Sequence, residues 1–183
     1  ENSEVRRRPY SIFRVDEEGS IDAKGTKEEP ITFKNISTHA GWNGIEITLP
    51  ESGEVTDTFE YCNFINGGAQ FRDFTEGLID VSYGTEKTKF NLVVDHCTFD
   101  SSELINRDVL QPSEVQSGIY YGDHSGNTVQ TNIKITNSTF RSLSMAIETC
   151  KQDEYNNASK CIIENNVFEN NMEGAYKSSV IWH

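Results

Sequence analysis

Residues 132–140 read NIKITNSTF, and residues 160–168 read KCIIENNVF. Each sets apolar residues two apart, then an asparagine, then a phenylalanine three positions later. The same phrase recurs as LVVDHCTF, with Val94, His96 and Phe99, and as FEYCNF, with Phe59, Tyr61 and Phe64. ITFKNI, with Ile31, Phe33 and Ile36, reads as a worn first copy. The closing residues fall at 36, 64, 99, 140 and 168, at intervals of 28, 35, 41 and 28. A second short apolar run follows each phrase, usually behind a glycine or another small residue: NGIEI, EGLIDV, SGIYY, SMAIET and GAYKSSV. A unit of this length, with insertions absorbed between copies, marks a stacked repeat architecture.

The apolar residues alternate with polar ones at period two (Ile133 and Ile135, Leu92 and Val94, Ile45 and Ile47), which is strand spacing. No stretch carries a sustained helical stripe. Short strands joined by tight Asn/Gly turns predict an all-β chain wound as a parallel β-helix (solenoid) of about six coils. Lateral loops are expected at 66–76, 100–117 and 150–160. Each strand then pairs with its equivalent one coil away, at ~4.8 Å. The phenylalanines are expected to form one inward column, and Asn137, Asn165 and His96 another, with stacked amides bonding along the ladder. A β-sandwich also offers many short strands, but it does not require one phrase at several places.

At 183 residues the chain reads as one domain, 1–183, with residues 1–11 as an N-terminal arm that carries Arg6, Arg7 and Arg8. A hydrophobic content of 35% is enough for the thin core of a β-helix. The net charge of −13 argues against nucleic acid as a partner, because that needs a basic footprint. No apolar run is long enough to span a membrane. Cys62 and Cys97 both sit two before a closing Phe and so share a column. A parallel ladder holds their β-carbons slightly too far apart for a disulfide, which favours free thiols. Nothing in the sequence fixes the state of Cys150 and Cys161, and no cysteine spacing suits structural zinc. The sequons at Asn35, Asn137 and Asn157 are expected by chance in an Asn-rich repeat.

The sequence GSIDAKGTKEEPITF at 19–33, continued by GWNGIEI, resembles the opening coils of bacterial surface proteins of the right-handed parallel β-helix class. TEGLIDVSYGTEKTKFNLVVDHCTF at 75–99 resembles the pectate-lyase-like branch of that superfamily. This resemblance implies a Ca²⁺ site that bridges the protein to an acidic sugar, with Glu76 and Asp80 as the acid pair. On one strand, residues four apart face the same side. An inward column of Ile45, Ile79, Ile119, Ile147 and Tyr176 then sets an outward column of Glu46, Asp80, Tyr120, Glu148 and Lys177. Glu46 beside Asp80 completes a set of oxygen ligands suited to calcium. The sequence departs from the family where the chemistry lies, since neither the arginine-proline signature of the lyase base nor the polygalacturonase motifs occur. Lys177, Lys151 and Arg141 are the available substitutes, none of them beside Asp80 in this register.

YYGDHSGN at 120–127 places Asp123 and His124 at a strand end, as a base with an orienting partner or as an ordinary polar turn. Tyr120, Tyr121 and Trp42 are candidate sugar-stacking rings, and Trp42 equally suits a cap on a coil. The reading with fewest requirements is an extracellular or cell-surface β-helix module that binds a polysaccharide or other glycan, or acts as a spacer, without catalysis. A calcium-dependent polysaccharide lyase or hydrolase is the alternative. The last stretch, YKSSVIWH, ends in Val180, Ile181 and Trp182 with no polar cap. It predicts that Trp182 is covered, first by self-association through the open C-terminal coil, next by residues outside the given sequence, and last by folding back over the coil.

Overall fold

The computed structural model describes residues 12–34, 42–67, 77–82, 85, 87–103, 117–122, 130–149 and 160–177. Among these residues sixteen strands lie in three parallel sheets. Face A stacks Ile12–Val15, Gly44–Thr48, Gly77–Ser82, Ser117–Gly122, Met145–Thr149 and Glu173–Lys177. Face B stacks Asp22–Lys24, Gly53–Glu60, Thr88–Asp95, Gln130–Thr136 and Lys160–Glu164. Face C stacks Ile31–Lys34, Cys62–Ile65, Thr98–Asp100, Thr139–Arg141 and Val167–Glu169. Among the described residues the chain visits A, B and C in turn, five times, and then adds a sixth strand to face A. This is a right-handed parallel β-helix of about five coils. No helix among the described residues is long and apolar enough to cross a membrane.

The phenylalanine column is the spine. Phe33, Phe64, Phe99, Phe140 and Phe168 follow one another in register on face C. Successive ring centroids are 5.1, 4.5, 4.7 and 5.5 Å apart, and the ring planes are within 14° of parallel. The worn first copy therefore closes on Phe33 rather than Ile36, because ring must stack on ring. Phe64, Phe99 and Phe140 are fully buried, whereas Phe168 is 42% exposed because it lies on the last coil of face C. Behind this column the small residue of the second apolar run makes room. A Cβ on Gly118 would lie 2.6 Å from the Ala146 carbonyl and 2.8 Å from the Phe140 ring.

The asparagine column is real but faces outward. Tyr61, His96, Asn137 and Asn165 occupy the bend between faces B and C, with φ between 50° and 56°. Asn137, Asn165 and His96 are exposed, which corrects the inward placement. The phrase keeps asparagine there because a left-handed bend suits that side chain. The inward ladder lies one residue later. Cys62 Sγ donates to the Ala23 and Glu60 carbonyls, and Cys97 Sγ to those of Phe59 and Asp95. Ser138 Oγ donates to the Thr136 carbonyl and Asn166 Nδ2 to that of Ile135. At each of these four bends an inward donor thus meets a carbonyl, buried at Cys62, Cys97 and Ser138 and half-buried at Asn166. Cys62, Cys97 and Cys161 are free thiols. The Cys62 thiol and burial hold Cys97 far above the usual thiol range, and burial pushes Cys161 up to about 11. Cys150, the arm at 1–11 and Trp182 lie outside the described residues.

On face A the register differs by one residue at the last strand. Ile147 pairs with Ala175, Glu148 with Tyr176 and Thr149 with Lys177. Ala175, and not Tyr176, is thus the register partner of Ile147. The offset of 28 residues set on face C, where Phe140 pairs with Phe168, carries through the turn to face A without a slip.

One core residue breaks the apolar pattern. Asp57 is fully buried at the face-B position level with Leu92. Its Oδ1 accepts the Ile21 N–H at 2.7 Å, while Oδ2 has no partner. Burial pushes its carboxyl above the usual range, against the smaller lowering effect of the Ile21 N–H. The folded chain therefore holds this proton more tightly than the unfolded one. Its contribution to stability is complete below the ordinary carboxylate range and is lost as pH rises through the raised value. Asp57→Asn is expected to raise the melting temperature at about pH 7 and to lose that advantage near about pH 3.5. A gain of equal size at both pH values would contradict this account. Phe140→Ala is expected to cost ~3–5 kcal/mol in urea unfolding. Phe168→Ala should cost distinctly less because its ring is half out of the core.

Candidate functional site

The bend column and the outward positions of face C together form a surface groove of about 460 Å³. Asn63, Thr98 and Thr139 are successive outward residues of face C, one per coil. Along their edge stand Tyr61, His96 and Asn137 from the bends, and Lys27 comes from the loop before Ile31–Lys34. The rings of Tyr61 and His96 stack with centroids 4.6 Å apart and planes 19° apart. Parallel coils impose this stacking, since equivalent bend residues sit directly over one another.

His96 is held from its other side. Its Nδ1 is 2.9 Å from Asp95 Oδ2, and 43% of its side chain is exposed to solvent. Asp95 Oδ1 also accepts Thr136 Oγ1 at 2.6 Å and Asn137 Nδ2 at 2.8 Å. Partial burial opposes ionisation of Asp95, but these donors and His96 outweigh it and hold the carboxyl below the usual range. A carboxylate fixed as acceptor keeps the imidazole proton on Nδ1 and leaves Nε2 available to a ligand. The groove therefore offers two stacked rings, amides, hydroxyls and one imidazole nitrogen, with no carboxylate among its lining residues.

The residues singled out from sequence fall elsewhere. Trp42 is 5% exposed, its Nε1 donates to the Ile65 carbonyl at 3.0 Å, and its ring stacks on Phe33. Tyr120 and Tyr121 are each 6% exposed. Adjacent strand residues point to opposite sides, so the pair cannot both face a ligand. Tyr121 stacks on Phe90 at 6.2 Å. Tyr120 stands between Asp80 and Glu148 in the outward column and is nonetheless buried. The expectation of exposed sugar-stacking rings at these three positions is thus corrected.

Glu46 and Asp80 are direct neighbours in register, as expected. Glu46 is engaged by Arg14 Nε at 2.8 Å, and Asp80 is 5% exposed. Glu76, the third expected ligand, lies outside the described residues, as do Asp123, His124 and Lys151. Among the described residues no group of three or more His, Cys, Asp or Glu side chains is placed to hold a metal ion. Arg141 bridges Asp100 at 3.1 Å and Glu169 at 2.7 Å on the exposed side of face C.

Sequence reasoning placed His96 inside and passed over Tyr61. A signal was present in the repeat itself. Asparagine takes a left-handed φ at little cost, whereas a bulky tyrosine does so rarely. Tyr61 at φ 50° thus departs from the residue that the bend prefers, and it does so beside His96, where the rings meet. Comparison with known proteins returns no matching family model, no matching curated protein and no matching solved structure.

Proposed function

We propose that this chain is a non-catalytic β-helix module of an extracellular or cell-surface protein, within the pectate-lyase-like superfamily, and that it binds a glycan in the groove on face C. One observation carries the reading: the stacked Tyr61 and His96 rings border a groove also lined by the amides of Asn63 and Asn137, three threonine hydroxyls, Lys27, Pro30 and Cys97. Sugar rings present apolar faces to aromatic side chains and hydroxyls to polar ones, so such a lining matches both. The absence of carboxylates from the lining also spares a glycan the repulsion or desolvation that the chain's net charge of −13 imposes elsewhere.

The test uses a substitution that keeps the bend. Tyr61→Asn installs the residue that Asn137 and Asn165 supply in the same column, so the fold should be retained. Affinity for a retained polysaccharide, measured by calorimetry, is expected to fall about tenfold, ~1.4 kcal/mol. Unchanged affinity, or no glycan bound from a panel of neutral and acidic polymers, would overturn the reading.

A calcium-dependent polysaccharide lyase is the second reading, favoured by one observation, the adjacency of Glu46 and Asp80 on face A. Calcium there would have to displace Arg14 from Glu46. On this reading millimolar calcium raises the melting temperature of the wild type and not that of Asp80→Asn. It also predicts an unsaturated, ultraviolet-absorbing product from uronate polymers. A melting temperature indifferent to calcium counts against it.

A further inference from the structure

Three successive coils put the same kind of side-chain pair into the groove. One member comes from the bend and the other from the strand two residues on: Tyr61 with Asn63, His96 with Thr98, and Asn137 with Thr139. The three bend residues share one backbone conformation, with φ of 50°, 53° and 52°. Asn63, Thr98 and Thr139 follow one another in register on face C. The pairs therefore repeat along the axis at the coil spacing of ~4.8 Å. The bend N–H groups are already committed to this stacking, since Tyr61 donates to the Asp95 carbonyl, His96 to that of Thr136 and Asn137 to that of Glu164. Recognition of a ligand thus falls to the side chains, rung by rung.

This strip is bounded at both ends and on both flanks. The loop that carries Lys27 is pinned at one end, with the Gly25 N–H on the Glu60 carbonyl and the Ile31 N–H on that of Tyr61. Beyond Thr139 the strand column passes to Val167, whose side chain makes no hydrogen bond. On one flank Glu60 and Asp95 precede the bends, and on the other Asp100 lies two residues past Thr98. Asp95 already serves Thr136, Asn137 and His96, and Asp100 serves Arg141. A sugar chain laid across the coils would leave the strip after one residue and meet these engaged groups. One laid along the axis stays on hydroxyls, amides and rings. A pyranose in an extended 1,4-linked chain advances by about the height of one coil, so its residues keep step with the pairs. A coiled or branched chain advances less per residue and falls out of step.

We infer that the groove takes an unbranched glycan in extended form, laid along the axis of the solenoid with one sugar residue on each of three coils. The inference rests on the glycan-binding reading above and adds the shape, direction and length of the ligand. The first sugar lies beside Tyr61 and Asn63, the second beside His96 and Thr98, and the third beside Asn137 and Thr139.

Calorimetry with cello-, manno- and galacturonan oligosaccharides of one to six residues tests this. In the series that binds, affinity is expected to rise about fivefold with each residue up to the third, as one net hydrogen bond per residue gives, and then to level off. Malto-oligosaccharides, whose chain coils, should gain nothing beyond the second residue. Thr139→Val keeps the shape of the strand side chain and should remove the gain of the third residue, while a dimer keeps its affinity. A single sugar that binds as well as a hexamer, with binding still weakened in Tyr61→Asn, overturns the axial arrangement and leaves the glycan reading standing. So do gains that continue evenly past the third residue. A trimer indifferent to Thr139→Val but weakened by Asp100→Asn marks a chain laid across the coils and also overturns it. If no oligomer of any series binds, this inference and the glycan reading fall together.

Discussion

In-register parallel pairing between coils governs everything else in this molecule. It sets each residue over its equivalent at the strand spacing of ~4.8 Å. Side chains that tolerate their own kind at that distance can repeat indefinitely. Phenyl rings do, and the column from Phe33 to Phe168 keeps centroid separations of 4.5–5.5 Å, inside the range that aromatic pairs prefer. Like charges repeat only at a cost. Asp100, Arg141 and Glu169 alternate in sign, and elsewhere amides take over, as where Asn132 Nδ2 donates to Asn91 Oδ1 and Asn91 Nδ2 to Glu54. Where like charges do stack, as Glu46 on Asp80 and Glu60 on Asp95, Arg14 offsets the first pair.

The bends follow from the same constraint. Turning a strand of face B into face C demands a left-handed residue and leaves carbonyls facing inward at the corner. The chain answers with an outward Tyr, His or Asn and, next to it, an inward Cys, Ser or Asn donor. Thiol, hydroxyl and amide serve one purpose at this site, which gives Cys62 and Cys97 a structural role as hydrogen-bond donors. The outward members of the corner are then free to vary, and it is there that Tyr61 and His96 meet. The candidate groove is thus a by-product of how the solenoid turns, specialised by two substitutions in a column that otherwise favours asparagine.

Burial of Asp57 stands apart from this regularity. In a column otherwise made of Leu92, Ile133 and their neighbours, a carboxyl takes the Ile21 N–H from the first coil. Residue 21 precedes the three-residue strand Asp22–Lys24, the shortest of face B, where few ladder bonds fix the chain. The carboxyl ties down that end of the stack at the cost of an unpartnered Oδ2.

The sequence alone determined the fold class, because a repeated phrase with period-two apolar residues has few ways to bury its phenylalanines other than in a coiled stack. It also determined most of the register, including Ile45 with Ile79 and Glu46 with Asp80. Direction was harder to read. At a bend the alternation of inward and outward residues breaks, so spacing from Phe could not show that Asn137 and His96 point out while Ser138 and Cys97 point in. The one-residue error at Tyr176 has a related cause, since apolarity ranks Tyr above Ala but the length of the preceding turn, common to two coils, decides. Only the tertiary structure brought Tyr61, His96, Asn63, Thr98 and Thr139 to one groove, because these residues meet across coils and carry no shared local motif. Burial was likewise decided by neighbours: Tyr120 sits in an outward column and is still enclosed, which no property of its own strand foretells.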